Sequence, residues 1–517
     1  MWIYPEIKTL ADVPAYHAQH RGDETVFLLS DRSITFNELE RQSNRVANAL
    51  VTKGISGHSR IAFLGKNSEL YFYVLFGAMK AGHTFTPLNW RLSAVELTVI
   101  LEDAAPPVLF ADVAFKATIE KIQAESAHQF QTVYIDWSTP RPKELEQFLE
   151  SATDDRPMIE ISSEDTAFQI YTSGTTGVPK GVELTFGSVN FWFLLLDLEP
   201  TLTYATQDVM LFIAPNFHLL GMHFSISALY NGTKVSILPE VRFDSMLDAI
   251  HKHRVSVLVL APIMIEGLLN AAESSPADFS SLKLVVYAGS AIGLNLLKRA
   301  LKEMKCDFMQ FYGVTEVGGG VTLLRPEEHD LENEEKLKSC GRPLPYVEVK
   351  LMAFNGREAG VGQAGEFWVR VPSVFKQYYN KPALTEEVLK KGWYKTGDVG
   401  VCDQEGFYYI IDRTKDMIIS GGENVYSIEV EQALMKHPSV QQAAVIGVPD
   451  EKWGEAVKAL IVLNEGAVVT ANELITHCRG LIGGYKIPKY YDFVEKLPTS
   501  PTGKVLKKML RKDYSNP

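Results

Sequence analysis

The chain has 517 residues, 46% of them apolar and 22% charged, with 51 Lys and Arg against 63 Asp and Glu for a net charge of −12. At roughly 100–200 residues per domain, that length predicts three or four domains, or one large domain plus a small one. The balance excludes wholesale disorder, collagen and coiled coil, and a net acidic chain is a poor nucleic-acid coat, so no nucleic-acid partner is expected.

In chain order, Arg60–Leu64 reads as a short strand and Ser68–Met79 as a helix with one apolar face, stopped at Ala81-Gly82. Ala167–Tyr171 reads as a strand. Arg242–His253 and Leu294–Lys305 show helical periodicity. Between and after them come three β-rich runs: Val255–Leu260, ended by Pro262; Leu282–Tyr287, ended by Ala288-Gly289-Ser290; and Phe308–Tyr312, ended by Gly313. Strands without polar alternation, separated by helices, predict buried parallel sheets. In such sheets ligands collect beyond the carboxyl ends of the strands, which directs attention to Thr172, Gly289 and Gly313. From Val347 the texture changes to short strands with close turns (V-E-V-K-L, G-E-F-W-V-R-V, F-Y-Y-I-I-D), more like a small antiparallel barrel. After Arg413 it changes again. Ser427–Met435 and Ala471–Arg479 read as helices, Val440–Val448 and Ala459–Leu463 as strands.

The fold class expected is therefore α/β. Residues 1–412 form a large N-terminal domain of parallel-rich sheets, with a small β-barrel at about 345–412. Residues 416–517 form a small α+β C-terminal domain. The charged segment Asp412–Asp416 (D-R-T-K-D) lies between them, and 413–415 reads either as a hinge or as a solvated turn.

Cys306, Cys340, Cys402 and Cys478 stand 34, 62 and 76 residues apart, without a C-x-x-C pair or zinc spacing. Such sparse cysteines fit a reducing compartment. No basic stretch followed by an apolar one opens the chain, so no signal peptide is expected. The longest apolar runs reach about half of the ~20 residues a membrane span needs. A cytoplasmic protein is expected, with peripheral membrane contact left open, as is the choice between monomer and homodimer.

Thr172–Gly181 reads T-S-G-T-T-G-V-P-K-G and follows a strand. Glycines let the backbone turn its N–H groups inward, hydroxyls donate hydrogen bonds, and Lys180 adds a full charge, a combination suited to a polyphosphate. The glycine after the lysine departs from the Walker A pattern, which disfavours a P-loop kinase or GTPase.

This segment resembles the signature of the adenylate-forming superfamily, which comprises acyl- and aryl-CoA synthetases, adenylation domains and beetle luciferases. The resemblance runs through nearly the whole chain, including I-T-F-N-E-L from Ile34 and P-L-N-W-R-L from Pro87. It implies ATP, Mg²⁺ and coenzyme A. Thr172, Ser173, Gly174, Thr175, Thr176, Gly177 and Lys180 would surround the β- and γ-phosphates. In F-Y-G-V-T-E, Tyr312 would flank adenine, Thr315 would donate to a phosphate and Glu316 would hold the metal; Gly313 and, at the end of the neighbouring strand, Gly289 would be further nucleotide-binding positions. In Y-K-T-G-D, Asp398 would accept both ribose hydroxyls, and Arg413 would contact the nucleotide. Lys415 would be the pivot of a mobile small domain. In P-T-S-P-T-G-K, Lys504 would enter the site for adenylation only and neutralise charge developing at the α-phosphate. The rest of the basic tail (Lys507, Lys508, Arg511, Lys512) reads as a solvated face. Gly421 and Gly422 would line the thioester-forming arrangement.

D-R-T-K-D-M-I-I-S-G-G-E-N-V-Y and P-D-E-K-W-G-E look closest to fatty-acyl-CoA synthetases. Three departures touch the pattern. Phe186 stands where His is common, Ser427 where Pro is usual, and Ala288-Gly289-Ser290-Ala291 replaces G-G-A-P. Asn216-Phe217-His218 and Gly221 fall where the family places its aromatic gate and substrate wall, with His218 either in the reaction or in the core. Gly318, Gly319 and Gly320 read as space for a long or bulky acyl group. The expectation is a medium- or long-chain fatty acid activated by MgATP and transferred to coenzyme A. The rivals are a cinnamate-type aryl acid, transfer to a carrier protein, and a luciferase-type oxygenase.

Overall fold

The computed structural model describes residues 4–137, 139, 142–172, 179–274, 277–420, 423–450, 452–499 and 504–514. The chain packs as two units, one of residues 1–337, 343–348 and 370–394, the other of residues 338–342, 349–369 and 395–517.

The first unit holds two sheets of mainly parallel strands. In one, strands 60–64, 84–87, 108–112 and 131–135 pair in parallel, and 84–87 also pairs in parallel with 166–172. The strand 180–185 then returns antiparallel to 166–172 and is flanked by 377–378. In the other, 234–237, 209–212, 257–260, 284–288 and 307–314 run parallel and in that order, and 319–324 folds back antiparallel to 307–314. The strands are apolar on both faces because helices cover both, which removes the polar alternation of a one-sided sheet. Val257–Leu260 and Leu284–Ala288 sit in a core with Ile265, Leu268, Leu297 and Met304 from the covering helices.

Most expected elements recur within a residue or two. Arg60–Leu64 is a strand, and the helix after it spans Glu69–Lys80, with Ser68 as the capping residue whose hydroxyl accepts from the Tyr71 amide. One expectation about that helix needs correction: all twelve of its residues are buried, so it has no solvent face. Burying Phe72, Leu75 and Phe76 contributes roughly 1.5–3 kcal/mol each. Carrying Lys80 inward is tolerable because its ammonium donates to Ser43 and Asn44 at 2.8 Å and pairs with Glu40 at 2.5 Å. Burial lowers its pKa to about 8 even so, against the pull of Glu40.

In the second unit, strands 418–420, 423–425, 440–450, 454–463 and 490–493 form one sheet. Helices Ser427–Met435 and Ala471–Arg479 pack on it through Val430, Leu434 and Leu474. Thr470 and Glu473 close a capping box at the start of the second helix. This unit also carries most of a sheet with strands 348–352, 365–370, 393–402 and 408–413. The strand Trp393–Cys402 pairs antiparallel with Tyr408–Arg413, which runs straight into 413–415, so the expected hinge lies inside this unit. Among the described residues no helix is long and apolar enough to cross a membrane.

Candidate active site

In the first unit the candidate residues gather at strand ends. Thr172 closes the strand 166–172 and stands opposite Lys180 in the antiparallel pair, so the two form the base of the hydroxyl-rich loop. Ser173, Gly174, Thr175, Thr176 and Gly177 lie outside the described residues. Gly289 and Tyr312 follow the paired ends of two adjacent parallel strands, Ala288 opposite Phe311. Gly289 has φ +89°, a left-handed conformation that suits a residue without Cβ, and no described atom lies within 4 Å of where a Cβ would stand.

Glu316 sits on a single tight turn, Thr315–Val317, that ends the next strand. The segment after Val371 clamps that turn. The Phe375 amide donates to the Glu316 carbonyl at 2.7 Å and the Ser373 hydroxyl to the Val317 carbonyl at 2.7 Å. The Tyr378 hydroxyl donates to Glu316 Oε1 at 2.7 Å. Lys180 is itself buried, and its Nζ lies 4.8 Å from the centre of the Tyr378 ring. One tyrosine thus touches both the candidate phosphate lysine and the candidate metal carboxylate. Burial and the nearby Glu316 push its phenol pKa well up, so Tyr378 stays a neutral donor. Sequence reasoning missed it; the residues flanking Tyr378-Tyr379 carry no chemical signature.

No group of three or more His, Cys, Asp or Glu side chains among the described residues is arranged to hold a metal. A cation here would take Glu316 from the protein and its remaining ligands from phosphate and water, which is the habit of Mg²⁺. The held carboxylate fits that requirement.

His218 precedes the helix Leu219–Tyr230, its Nε2 is buried without a hydrogen-bond partner among the described residues, and burial next to Arg91 lowers its pKa to about 4. It is neutral at physiological pH. The expectation that Gly318–Gly320 leave room is overturned. A Cβ on Gly318 would stand 2.3 Å from the Ser373 carbonyl. One on Gly319 would stand 3.1 Å from the Trp192 ring and 3.3 Å from His223, and one on Gly320 2.4 Å from Phe311. The glycines are there because neighbours already fill the space.

The second unit carries the other candidates. Asp398 and Arg413 are register partners across their two strands, and Arg413 Nε lies 3.0 Å from Asp398 Oδ1. Asp398 is buried, while Arg413 is more than a third exposed. Lys504 lies in the field of Arg413, Asp398, Lys415 and Asp416. Burial, Arg413 and Lys415 lower its pKa to about 7 against the pull of the two carboxylates. An amine poised there can be a cation or a neutral donor within the physiological range. Gly421 and Gly422 lie outside the described residues.

The tail is not a solvated face throughout. Lys507 pairs with Glu431 at 2.7 Å and Arg511 with Asp416 at 2.9 Å, whereas Lys508 and Lys512 are exposed. The partners of Lys507 and Arg511 come from far along the chain, so the tail's composition did not reveal them.

Residues 15–379 match the family described as AMP-binding enzyme, and residues 429–504 match the AMP-binding enzyme C-terminal domain. The chain is 34% identical to the fatty acid–[acyl-carrier-protein] ligase ScoC of Streptomyces coeruleorubidus over 98% of its length and 97% of the relative's. It is also 34% identical to a feruloyl-CoA synthase of an Amycolatopsis species, covering 98% of this chain and 99% of that one. With the long-chain-fatty-acid–CoA ligase FadD13 of Mycobacterium tuberculosis the identity is again 34%, over 94% of both chains. Among solved structures, the o-succinylbenzoate coenzyme A synthetase MenE of Bacillus subtilis, in complex with ATP and a magnesium ion, superposes with a TM-score of 0.84 at 31% identity. That match covers 97% of this chain and 99% of the other.

Proposed function

The chain belongs to the AMP-binding enzyme family of ATP-dependent acyl- and aryl-CoA ligases, and within it we propose that this protein activates a medium- or long-chain fatty acid and passes it to coenzyme A. The observation that carries the chemistry is the bridging of Lys180 and Glu316 by the neutral Tyr378. A carboxylate is a poor electrophile because its leaving group would be oxide. One of its oxygens attacks the α-phosphorus of ATP, the Pα–O bond to the β-phosphate breaks, and pyrophosphate leaves. The coenzyme A thiol, once deprotonated, adds to the acyl carbon and AMP departs. Mg²⁺, where bound at Glu316, supplies neutralisation of phosphate charge.

The chain's own groups do the rest. Lys180 offers a buried cation at the base of the phosphate loop. Asp398 accepts ribose hydroxyls, and Arg413, paired to it, orients that carboxylate. Lys504 neutralises the charge that develops at the α-phosphate, a stabilisation specific to the transition state. Rotation about Lys415 would exchange Lys504 for the segment at Gly421-Gly422 between the two half-reactions.

Fatty-acid ligases among the relatives support the choice of acid. The feruloyl-CoA synthase, at the same identity, supports an aryl acid as the second reading, and the filled space at Gly318–Gly320 removes the argument from room that favoured a long chain. Measuring kcat/KM across octanoate, palmitate and ferulate separates the two: a preference for palmitate or octanoate is expected, and a strong preference for ferulate defeats the fatty-acid reading. Pyrophosphate release with and without coenzyme A tests the acceptor. Acid-dependent release that coenzyme A fails to accelerate would favour a carrier protein.

A further inference from the structure

The segment D-R-T-K-D presents two aspartates that the proposed reaction does not use. Neither is solvated: Asp412 and Asp416 are 1% and 7% exposed. Asp412 accepts from the Arg413 amide at 2.7 Å. It also accepts from the amide of Ser427, at the start of the helix Ser427–Met435, and from the Ser427 hydroxyl at 2.9 Å. The same hydroxyl receives the Lys507 ammonium at 2.6 Å, and Lys507 pairs with Glu431, whose carboxylate also takes the Val445 amide at 2.7 Å. Asp416 takes Arg511 one turn further along the C-terminal helix Lys507–Asp513. That helix thus places Arg511 directly against Asp416 and links Lys507 to Asp412 through the Ser427 hydroxyl, with Arg413 and Lys415 between the two aspartates in sequence.

Packing alone does not call for this arrangement. Leu510 already anchors the helix among Ile446, Val448 and Leu460. Buried ion pairs contribute little net stability compared with apolar residues of similar size, so their better-attested role is to fix a register. Lys504 lies three residues before Lys507. The stretch between them is tied by a bridge of Val505 to Thr499 and by the Leu506 amide to the Pro498 carbonyl. Fixing Lys507 therefore fixes the approach of Lys504.

We propose that Ser427 and Lys507 are positioning residues for adenylate formation: they grip Asp412 on one side and the Lys504 segment on the other, so that the hinge sets where the Lys504 ammonium stands. The proposal rests on the ligase reading above for the identity of the step. It also makes Ser427 functional, since a proline there would have no N–H for Asp412.

The test compares Lys507→Met, Lys507→Arg and Ser427→Ala with Lys508→Ala, a control on the exposed face of the same helix. Acid-dependent ATP–pyrophosphate exchange reads adenylate formation, and conversion of supplied acyl-AMP with coenzyme A reads the thioester step. Loss of a charged hydrogen bond predicts that Lys507→Met lowers exchange by about tenfold or more while thioester formation stays within about twofold. Lys507→Arg should restore most of the exchange, Ser427→Ala should fall between, and Lys508→Ala should match the wild type. A second readout needs no substrate. The pH dependence of acetic anhydride labelling of Lys504 should have its midpoint near 7 in the wild type and move upward in Lys507→Met, as the amine gains water and retreats from Arg413 and Lys415 as well as from Asp398 and Asp416. Exchange unchanged, equal loss of both steps, or an unmoved labelling midpoint overturns the proposal. Absence of exchange in the wild type with every acid tried would instead overturn the ligase reading, and the labelling arm would still decide the positioning role.

Discussion

The Glu316 turn and the D-R-T-K-D segment both present carboxylates, yet they are held by opposite means. Glu316 is fixed by a neutral phenol and by backbone and hydroxyl hydrogen bonds from Ser373 and Phe375. Asp412 and Asp416 are held by Lys507, Arg511 and Ser427, with Glu431, Lys415 and Lys504 close by. Burial pushes the pKa values of Asp412 and Glu431 up in spite of Lys507, whereas the cations around Asp416 outweigh its burial and hold it below the usual carboxylate range. A carboxylate oriented by neutral donors keeps its place whatever the state of its neighbours. One oriented by ions depends on every neighbour's protonation and position. The first plan suits a group that serves as a fixed point, the second a segment whose groups must be carried together.

The sharpest way to break that contrast is Lys504→Ala. If the ionic region serves one half-reaction, adenylate formation should fall by about 10²–10³, as when a group that stabilises developing charge is removed. Thioester formation from supplied acyl-AMP should persist. Single-turnover assays of each step check this, and equal loss of both would remove the distinction between the regions.

Tyr378→Phe probes the fixed region. It deletes one hydrogen bond to a charged carboxylate, worth roughly 1.5–3 kcal/mol, and leaves the ring beside Lys180. Adenylation should fall by about 10–100-fold, with the Mg²⁺ concentration for half-maximal rate rising. A loss that added Mg²⁺ does not relieve would detach Tyr378 from the metal carboxylate.

The two plans also differ in pH response. In the proposed role Lys504 must be protonated to neutralise charge, and its pKa in the free enzyme is lowered to about 7. Kcat/KM for adenylate formation should therefore decline as pH rises above about 7, approaching tenfold per unit, because kcat/KM reports the free enzyme's groups. The thioester step should lack that limb. A flat adenylation profile from pH 6 to 9 would contradict the assignment.

Much of the fold was legible because it rests on local pattern. Arg60–Leu64, Ser427–Met435 and Ala471–Arg479 lie where apolar period and end signals place them. The strand ends at Thr172 and before Gly289 were read correctly from the apolar runs, whereas the strand expected to end at Gly313 runs on to Val314, because Gly313 and Val314 still pair with the returning strand at Gly320 and Gly319. What was not legible depends on distant partners. Tyr378 meets Glu316 across 62 residues, and Lys507 meets Ser427 across 80. A basic tail reads the same whether its cations face water or buried carboxylates. Glycines are ambiguous in a similar way, since the absence of a Cβ can mean open room or a neighbour already in contact.

That ambiguity gives the mildest test, at Gly319. Its φ of +150° disfavours a side chain, and an alanine Cβ would press on Trp192 at 3.1 Å. Trp192 has little freedom to retreat, because its indole N–H donates to Ser227 at 2.8 Å and its ring stacks on the buried His223. Gly319→Ala should therefore cost about 1–3 kcal/mol, as overpacking does, and lower Tm by a few degrees. Gly289→Ala would meet backbone strain alone, with no neighbour to displace among the described residues, and should cost less. The KM for ATP should stay unchanged in Gly319→Ala, since Trp192 and His223 touch none of the candidate phosphate or metal residues in the contacts described. Thermal unfolding of both variants checks this. Equal Tm values for Gly319→Ala and the wild type would mean that the wall yields, and room for a bulky acyl group would again count in favour of a long chain.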